Sequence, residues 1–326
     1  MKKYVIGVDL GGTNIKAAIF DLNFQFLRDL SIPTEAAGGP PHVLNRIKGA
    51  VKTLLSELGA SADEVVCMGC GVTGIMDPEE GLSIFSPNFP NWRNVHVVNI
   101  MKETFDFPVF IDNDVRVNLY GEWWFGAGVG YRNLMLITLG TGLGSGIVNE
   151  GKVVYGTTAS AGELGHMNMF PDGPPCGCGG NGCLETYASA TGMVNTMKRE
   201  LAAGKPSIIR EWTNGDVSKI TARMISEAFD AGDPLAIEVM RFTGVVLGTG
   251  LANAINLLNP QVVIVGGGMA AAGDRLLNTV RETINKRALP LSAEVCRLVT
   301  AQLGERAGMI GAAAYAYKKA EGALGQ

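Results

Sequence analysis

The sequence predicts a two-domain α/β protein, and three observations carry that prediction. Short apolar runs ending in glycine alternate along the chain with stretches of helical periodicity. One unit, a strand, a turn of glycine and hydroxyl residues and a second strand, appears at residues 9–20 and again at 139–148. The chain has 326 residues, enough for two full cores. No low-complexity linker divides it, so the domain boundary is expected to be a hinge crossed more than once.

Composition excludes several classes. Lys+Arg 27 against Asp+Glu 31 leaves a net charge of −4, so no nucleic-acid-binding surface is expected. The 44 glycines cluster at turns and follow no period-three repeat. No uninterrupted apolar run reaches the roughly 18 residues of a membrane span. The start, MKKYVIGVDLGG, has no small-residue cleavage site, and its apolar run breaks at Asp9. A cytoplasmic protein with free thiols is the expectation.

Taken in order, residues 4–10 read as a buried strand that stops at Gly11-Gly12-Thr13-Asn14, and residues 15–20 as the strand that returns. A glycine turn between two strands is neither a P-loop nor a dinucleotide fingerprint, both of which open a helix. Its backbone N–H groups and the side chains of Thr13 and Asn14 suit a phosphate, and Asp9 at the strand end suits a hydrated Mg²⁺; an ordinary hairpin fits the same residues. Helical periodicity runs from about 41 to 58. A strand over 64–71 carries Cys67 and Cys70, whose C-x-x-C spacing within an apolar strand reads as core.

A short strand at 108–112 leads to Asn113, Asp114 and a helix through 124. A carboxylate just past a strand end suits a general base for a hydroxyl, and a plain helix cap fits equally. The strand 134–139 ends in Gly140-Thr141-Gly142, the second copy of the glycine hairpin. Residues 186–259 are mostly helical. A strand at 261–265 ends in Gly266-Gly267-Gly268, open either to a nucleotide base or to close strand–helix packing. A helix over 274–288, a strand over 295–299 and an alanine-rich helix over 308–319 close the chain.

The densest chemistry lies in residues 160–185. His166, Cys176, Cys178 and Cys183 form a His-x9-Cys-x-Cys-x4-Cys series, one complete tetrahedral ligand set for Zn²⁺. The intervening prolines and glycines cannot form a helix and have little to bury, so a metal is expected to order them. With four protein ligands the zinc has no open position and is structural. Glu163 and Glu185 flank the ligands, as acceptors for a polyhydroxylated ligand or as plain surface acids.

These motifs together resemble the ROK group of sugar kinases and repressors. Residues 9–14 look like its first phosphate motif and 139–146 its second. Gly162-Glu-Leu-Gly-His166 with Cys176-Gly-Cys-Gly-x-x-Gly-Cys183-x-Glu185 looks like its signature and zinc motif. The resemblance implies an actin-like ATPase (ribonuclease H-like) fold, two α/β domains with a cleft between them. Residues 1–115 would form the small domain, closed by the C-terminal helix at about 300–326. Residues 116–299 would form the large domain with the zinc motif at 166–183.

Carried over position by position, the resemblance implies that Asp114 is the catalytic base. Asn88, Asn113, Asp114, Glu163, His166 and Glu185 would bind the sugar. Gly11, Gly12, Thr13, Asn14, Lys16, Gly140, Thr141 and Gly142 would contact phosphate, Gly266, Gly267 and Gly268 the adenosine, and Asp9 the Mg²⁺. His166 would bind zinc through one ring nitrogen and face the sugar with the other. The turn at 71–77 departs from the family's proline-containing pattern. So does Val115-Arg116-Val117-Asn118, where Arg116 would face solvent or a neighbouring subunit.

The activity implied is phosphoryl transfer from ATP to the primary hydroxyl of a hexose, with glucose the expected substrate. N-acetylmannosamine, fructose, mannose and allose are the alternatives. A sugar-sensing repressor would carry a helix-turn-helix before the first strand, and here that strand begins at Tyr4. ATP, Mg²⁺ and structural Zn²⁺ are the expected cofactors, a homodimer or dimer of dimers the expected assembly.

Overall fold

The computed structural model describes residues 2–87 and 89–322. The chain forms two compact units. The first takes the described residues of Met1–Gly130, Lys152–Ala161 and Ala301–Gln326, the second Tyr131–Gly151 and Gly162–Thr300. The expected cut at 115/116 falls inside a helix and moves to Gly130, because that helix packs along its length against the C-terminal helix of the same unit.

The first unit opens with β1 (Tyr4–Leu10), β2 (Asn14–Asp21) and β3 (Phe26–Pro33), antiparallel neighbours joined by tight turns. Helix α1 (Gly39–Leu58) lays Val43, Leu44, Ile47, Val51 and Leu54 on this sheet, a helical repeat with each side chain fully buried. Such burial contributes about 1.5–3 kcal/mol per side chain. Gly59 ends the helix in the left-handed region at φ 66°, its N–H bonded to the carbonyls of Leu55 and Ser56.

Then come β4 (Val65–Val72) and a small antiparallel sheet of β5 (Ile75–Asp77), β6 (Leu82–Phe85) and β7 (Arg93–Val95). Helix α2 (Val97–Lys102), β8 (Val109–Asn113) and α3 (Asp114–Phe125) follow. The main sheet has the order β3-β2-β1-β4-β8, with β1, β4 and β8 parallel. Cys67 and Cys70 are core residues of β4, and burial pushes the Cys67 thiol up to about 12.

In the second unit, β9 (Leu134–Leu139) and β10 (Leu143–Asn149) form the second glycine hairpin. After it, β11 (Lys152–Val153) opens the 152–161 segment of the first unit. Back in the second unit come α4 (Glu185–Ala188), α5 (Ala190–Ala202), α6 (Ile208–Trp212), α7 (Ala222–Asp230) and α8 (Pro234–Leu258). Next are β12 (Val262–Gly266), α9 (Asp274–Arg287), α10 (Pro290–Val295) and β13 (Arg297–Thr300). Strand β12 lies between β9 and β13, parallel to both. The last strand starts at Arg297, later than its sequence suggests, because α10 takes Val295.

Helix α8 is long and apolar enough, by length and composition, to cross a membrane, but 67% of its apolar window is buried in this unit. Asp233 caps it, accepting the Ala236 N–H at 2.8 Å. Leu247, Leu251 and Ile255 sit fully inside the core.

The chain closes with α11 (Ala307–Ala320) in the first unit. Its small residues allow backbone-to-backbone packing. A Cβ on Gly7 of β1 would lie 1.9 Å from the Met309 carbonyl oxygen, and one on Gly69 of β4 1.9 Å from that of Ala312. Gly311 meets α3 in the same way, at the Val117 carbonyl.

Candidate active site

The parallel strands β1, β4 and β8 end in register, Asp9 beside Gly71 and Gly71 beside Asp112. Their carboxyl ends bring Asp9, Thr73, Asn113 and Asp114 together, as ligand sites of parallel sheets do. Asp114 is the first residue of α3, and the residue that caps the helix is Asn113. The Asn113 Oδ1 accepts the N–H groups of Val115 at 2.9 Å and Arg116 at 3.2 Å, and its Nδ2 donates to the Gly74 carbonyl at 3.0 Å. The sequence left base and cap as competing roles for Asp114; Asn113 takes the cap, and the Asp114 carboxylate stands at the positive end of the helix.

The Thr73 hydroxyl lies 3.2 Å from Asp114 Oδ2 and 3.2 Å from the Leu10 carbonyl, which it serves as donor. Thr73 lies in a turn that the sequence shows only as glycine-rich, so its partner was invisible there. Asp9 is half-buried, and its pKa is raised to about 7, first by desolvation and then by the charge of Asp114, with Lys16 opposing. Its carboxylate packs on Gly308 in the first turn of α11, where a Cβ would lie 2.4 Å from Oδ2. The donor set and position suit a hydrated Mg²⁺.

The tip of the first hairpin exposes Gly12, Thr13 and Asn14. The Gly11 N–H bonds to the Asn14 carbonyl at 3.0 Å, and buried Thr34, just past β3, braces the turn by donating its hydroxyl to the Gly11 carbonyl at 2.7 Å. Lys16 lies 3.1 Å from Glu305. Asn88 lies outside the described residues. Arg116, expected to face solvent or another subunit, is buried in the first unit and paired with Asp112 at 2.6 Å.

In the second unit the hairpin over Gly140-Thr141-Gly142 is closed by a Gly140 N–H to Gly142 carbonyl bond at 3.0 Å, and Thr141 is exposed. Glu185 reaches this hairpin: its Oε2 accepts the Leu143 N–H at 3.3 Å. The three glycines after β12 separate in role. Gly266 is in the strand, and Gly267 has φ 83° with a Cβ position 2.4 Å from the Leu139 carbonyl oxygen. Gly268 faces open space. Gly267 is therefore required by packing, and Gly268 is the one available to a ligand.

His166, Cys176, Cys178 and Cys183 converge, their ligand atoms all within 4.8 Å of one another. Tetrahedral Zn²⁺ with Zn–S near 2.3 Å and Zn–N near 2.05 Å requires S···S of about 3.8 Å and N···S of about 3.6 Å. Cys178 Sγ lies 3.7 Å from Cys183 Sγ, and His166 Nδ1 3.6 Å from Cys176 Sγ. The residues fit zinc, and the 3.7 Å sulfur separation excludes a disulfide. Residues 167–184 contain no helix, only isolated bridges at Asn168–Cys183 and Pro175–Asn181. The Nε2 of His166 lies 4.0 Å from Glu163 Oε2, while Glu185 Oε1 lies 3.7 Å from Nδ1.

Two α/β units, each carrying a strand–glycine–strand hairpin, with one acidic strand end and one zinc-type clip, define an actin-like ATPase-fold sugar kinase. The ROK family model matches residues 5–319, and the chain belongs to that family. A glucokinase of Halalkalibacterium halodurans is 36% identical over 311 residues, covering 95% of this chain and 93% of its own. The crystal structure of a ROK family glucokinase from Streptomyces griseus in complex with glucose and AMPPNP superposes with a TM-score of 0.82 at 33% identity, over 97% of this chain and 99% of that one. A ROK family transcriptional regulator, homolog of the E. coli MLC protein, superposes at 0.87 with 30% identity, over 98% of this chain and 79% of its own.

Proposed function

We propose that the protein is an ATP-dependent hexokinase that phosphorylates the primary hydroxyl of glucose. The family and its glucokinase relatives support hexose kinase activity with ATP as donor, and the glucose and AMPPNP bound by the Streptomyces griseus protein favour that pair of substrates here. The observation that carries the reading in this chain is Asp114, a carboxylate released from capping duty by Asn113 and set beside the Thr73 hydroxyl.

Asp114 accepts the proton of the attacking hydroxyl as its oxygen bonds to the γ-phosphorus and the bond from that phosphorus to the β,γ-bridging oxygen breaks, releasing ADP. Phosphoryl transfer demands little covalent chemistry from the protein, so positioning and charge stabilisation supply most of the rate. Glu163, His166 Nε2, Glu185, Asn113 and Asn88 are proposed to hold sugar hydroxyls. Asn113 spends its oxygen on the helix start and one N–H on the Gly74 carbonyl, which makes it as much a positioning group as a ligand.

The hairpin tips at Gly11, Gly12, Thr13 and Asn14 and at Gly140, Thr141 and Gly142, with Lys16, are proposed to take the phosphates, and the turn Gly266-Gly267-Gly268, through its open Gly268, the adenosine side. Asp9 would hold Mg²⁺, which neutralises phosphate charge. His166, Cys176, Cys178 and Cys183 would hold zinc, which lends rigidity to the loop that presents Glu163 and Glu185. A cytoplasmic homodimer is part of the same proposal.

The test is ADP release with ATP and Mg²⁺ across glucose, mannose, fructose, allose and N-acetylmannosamine, with polyphosphate as a second donor. Selective turnover of glucose is the expected result. Turnover of another sugar alone would retain the kinase and replace its substrate. No turnover of any sugar with either donor would overturn the kinase in favour of a sugar sensor, the reading that the regulator's likeness keeps as the second one.

A further inference from the structure

Within the first unit, Arg116 is 4% exposed. Its Nε donates to Asp112 Oδ1 at 2.6 Å and its Nη1 to the Ala159 carbonyl at 2.7 Å. The guanidinium lies over the Tyr155 ring, 4.9 Å from its centroid. Tyr155 in turn donates its hydroxyl to Asp112 Oδ2 at 2.5 Å and lies 3.0 Å from the Tyr120 hydroxyl. One buried side chain thus joins the start of α3 to the loop 155–161.

That loop is tightly wound. The Ala161 N–H returns to the Tyr155 carbonyl at 3.0 Å, and Gly156 has φ 70°. Ala159 sits in the left-handed region at φ 52°, unfavourable for a residue with a Cβ. The carbonyl of this strained residue is the one that Arg116 holds. Two residues beyond Ala161 the chain reaches Glu163, while the Asp112–Arg116 pair brackets Asp114 from both sides in sequence.

We propose that Arg116, braced by Tyr155, is a positioning residue for sugar binding, fixing the loop that leads into Glu163 to the same anchor that sets Asp114. A buried ion pair is poor at stabilising a fold, and Arg116 Nη2 is buried with no hydrogen-bond partner among the described residues. An apolar side chain would avoid that cost but would leave Ala159 unheld. The energetics therefore favour a role in placement over one in stability. The inference rests on the hexokinase reading only for its kinetic consequence.

The experiment compares wild type with Tyr155→Phe, with Arg116→Met and with the double variant Asp112→Asn/Arg116→Met, which leaves no orphaned buried charge. Hydrogen exchange without ligand reads the pin itself. The Ala161 amide should exchange about tenfold faster in Arg116→Met and in the double variant, with amides of β1 and β4 unchanged. Kinetics reads the consequence: the KM for sugar should rise about tenfold in the same variants, and less in Tyr155→Phe, with the KM for ATP unaltered. Unchanged exchange at Ala161, or sugar and ATP KM values moving together, overturns the proposal. A wild type that phosphorylates no sugar overturns the kinase reading instead, and the exchange result still decides whether Arg116 pins the loop.

Discussion

The Nδ1 nitrogen of His166 lies 3.6 Å from the Sγ of Cys176, the separation of two ligands on one tetrahedral zinc. Metal held through Nδ1 would fix the tautomer and leave the proton on Nε2, which lies 4.0 Å from Glu163 Oε2. The clip and the proposed sugar contact are two ends of one imidazole.

Zinc removal should therefore impair sugar binding without touching the reacting atoms. Cys183→Ser is expected to lose the bound metal, measured by elemental analysis as about one equivalent per chain in wild type. Its KM for the sugar should rise about tenfold or more, because outer contacts of metal sites typically carry effects of that size. Retained affinity in metal-free protein would show that the loop holds itself.

Replacing Asp114 by Asn keeps the shape and removes the base, and should lower kcat by ~10²-fold or more with little change in thermal unfolding. Thr73→Val removes the hydroxyl beside Oδ2 and should cost far less, roughly threefold to tenfold, as for one neutral hydrogen bond. Equal losses in both variants would shift the proton-accepting role away from Asp114.

Asp9 supplies a pH signature. Its pKa is raised from 3.8 to about 7 in the folded protein, chiefly by desolvation, so the folded state holds a proton that the unfolded state has released. Stability contributed by this group therefore falls as pH rises from about 4 to about 7, and the full penalty stands above that. Asp9→Asn should unfold at a higher temperature than wild type at pH 8, the difference shrinking toward pH 4. Mg²⁺ binding should reverse the order by favouring the ionised form in wild type. Parallel curves for the two proteins from pH 4 to 8 would contradict the assignment.

Gly69→Ala places a methyl 1.9 Å from the Ala312 carbonyl oxygen, where only backbone movement gives relief. A loss of about 1–3 kcal/mol or more in unfolding free energy is expected from such overpacking. Gly49→Ala in α1, where a Cβ meets nothing within 4 Å, is the control and should stabilise slightly. Similar unfolding curves for the two variants would mean that α11 can shift on the sheet.

Much of this was readable from sequence because the signals are local. The two glycine hairpins, the helical repeat of α1 and the His-x9-Cys-x-Cys-x4-Cys series depend on neighbours a few residues apart, and each lies where its pattern predicts. The extent of the first unit was not readable, since the cut at 115/116 ignores the packing of α3 on α11, residues far apart in the chain.

The sequence by itself determined the residue types of the chemistry: a carboxylate after a strand, two hydroxyl-and-glycine turns and one histidine and three cysteines at zinc-type spacing. Only the tertiary structure decided how those groups are used. It gave the helix cap to Asn113 and set Asp114 beside the Thr73 hydroxyl, required Gly267 for packing while leaving Gly268 open, and buried Arg116 against Asp112 and Ala159. The physical reason is that a side chain's role follows from burial and from the partner that satisfies its polar atoms, and both are set by segments distant in sequence.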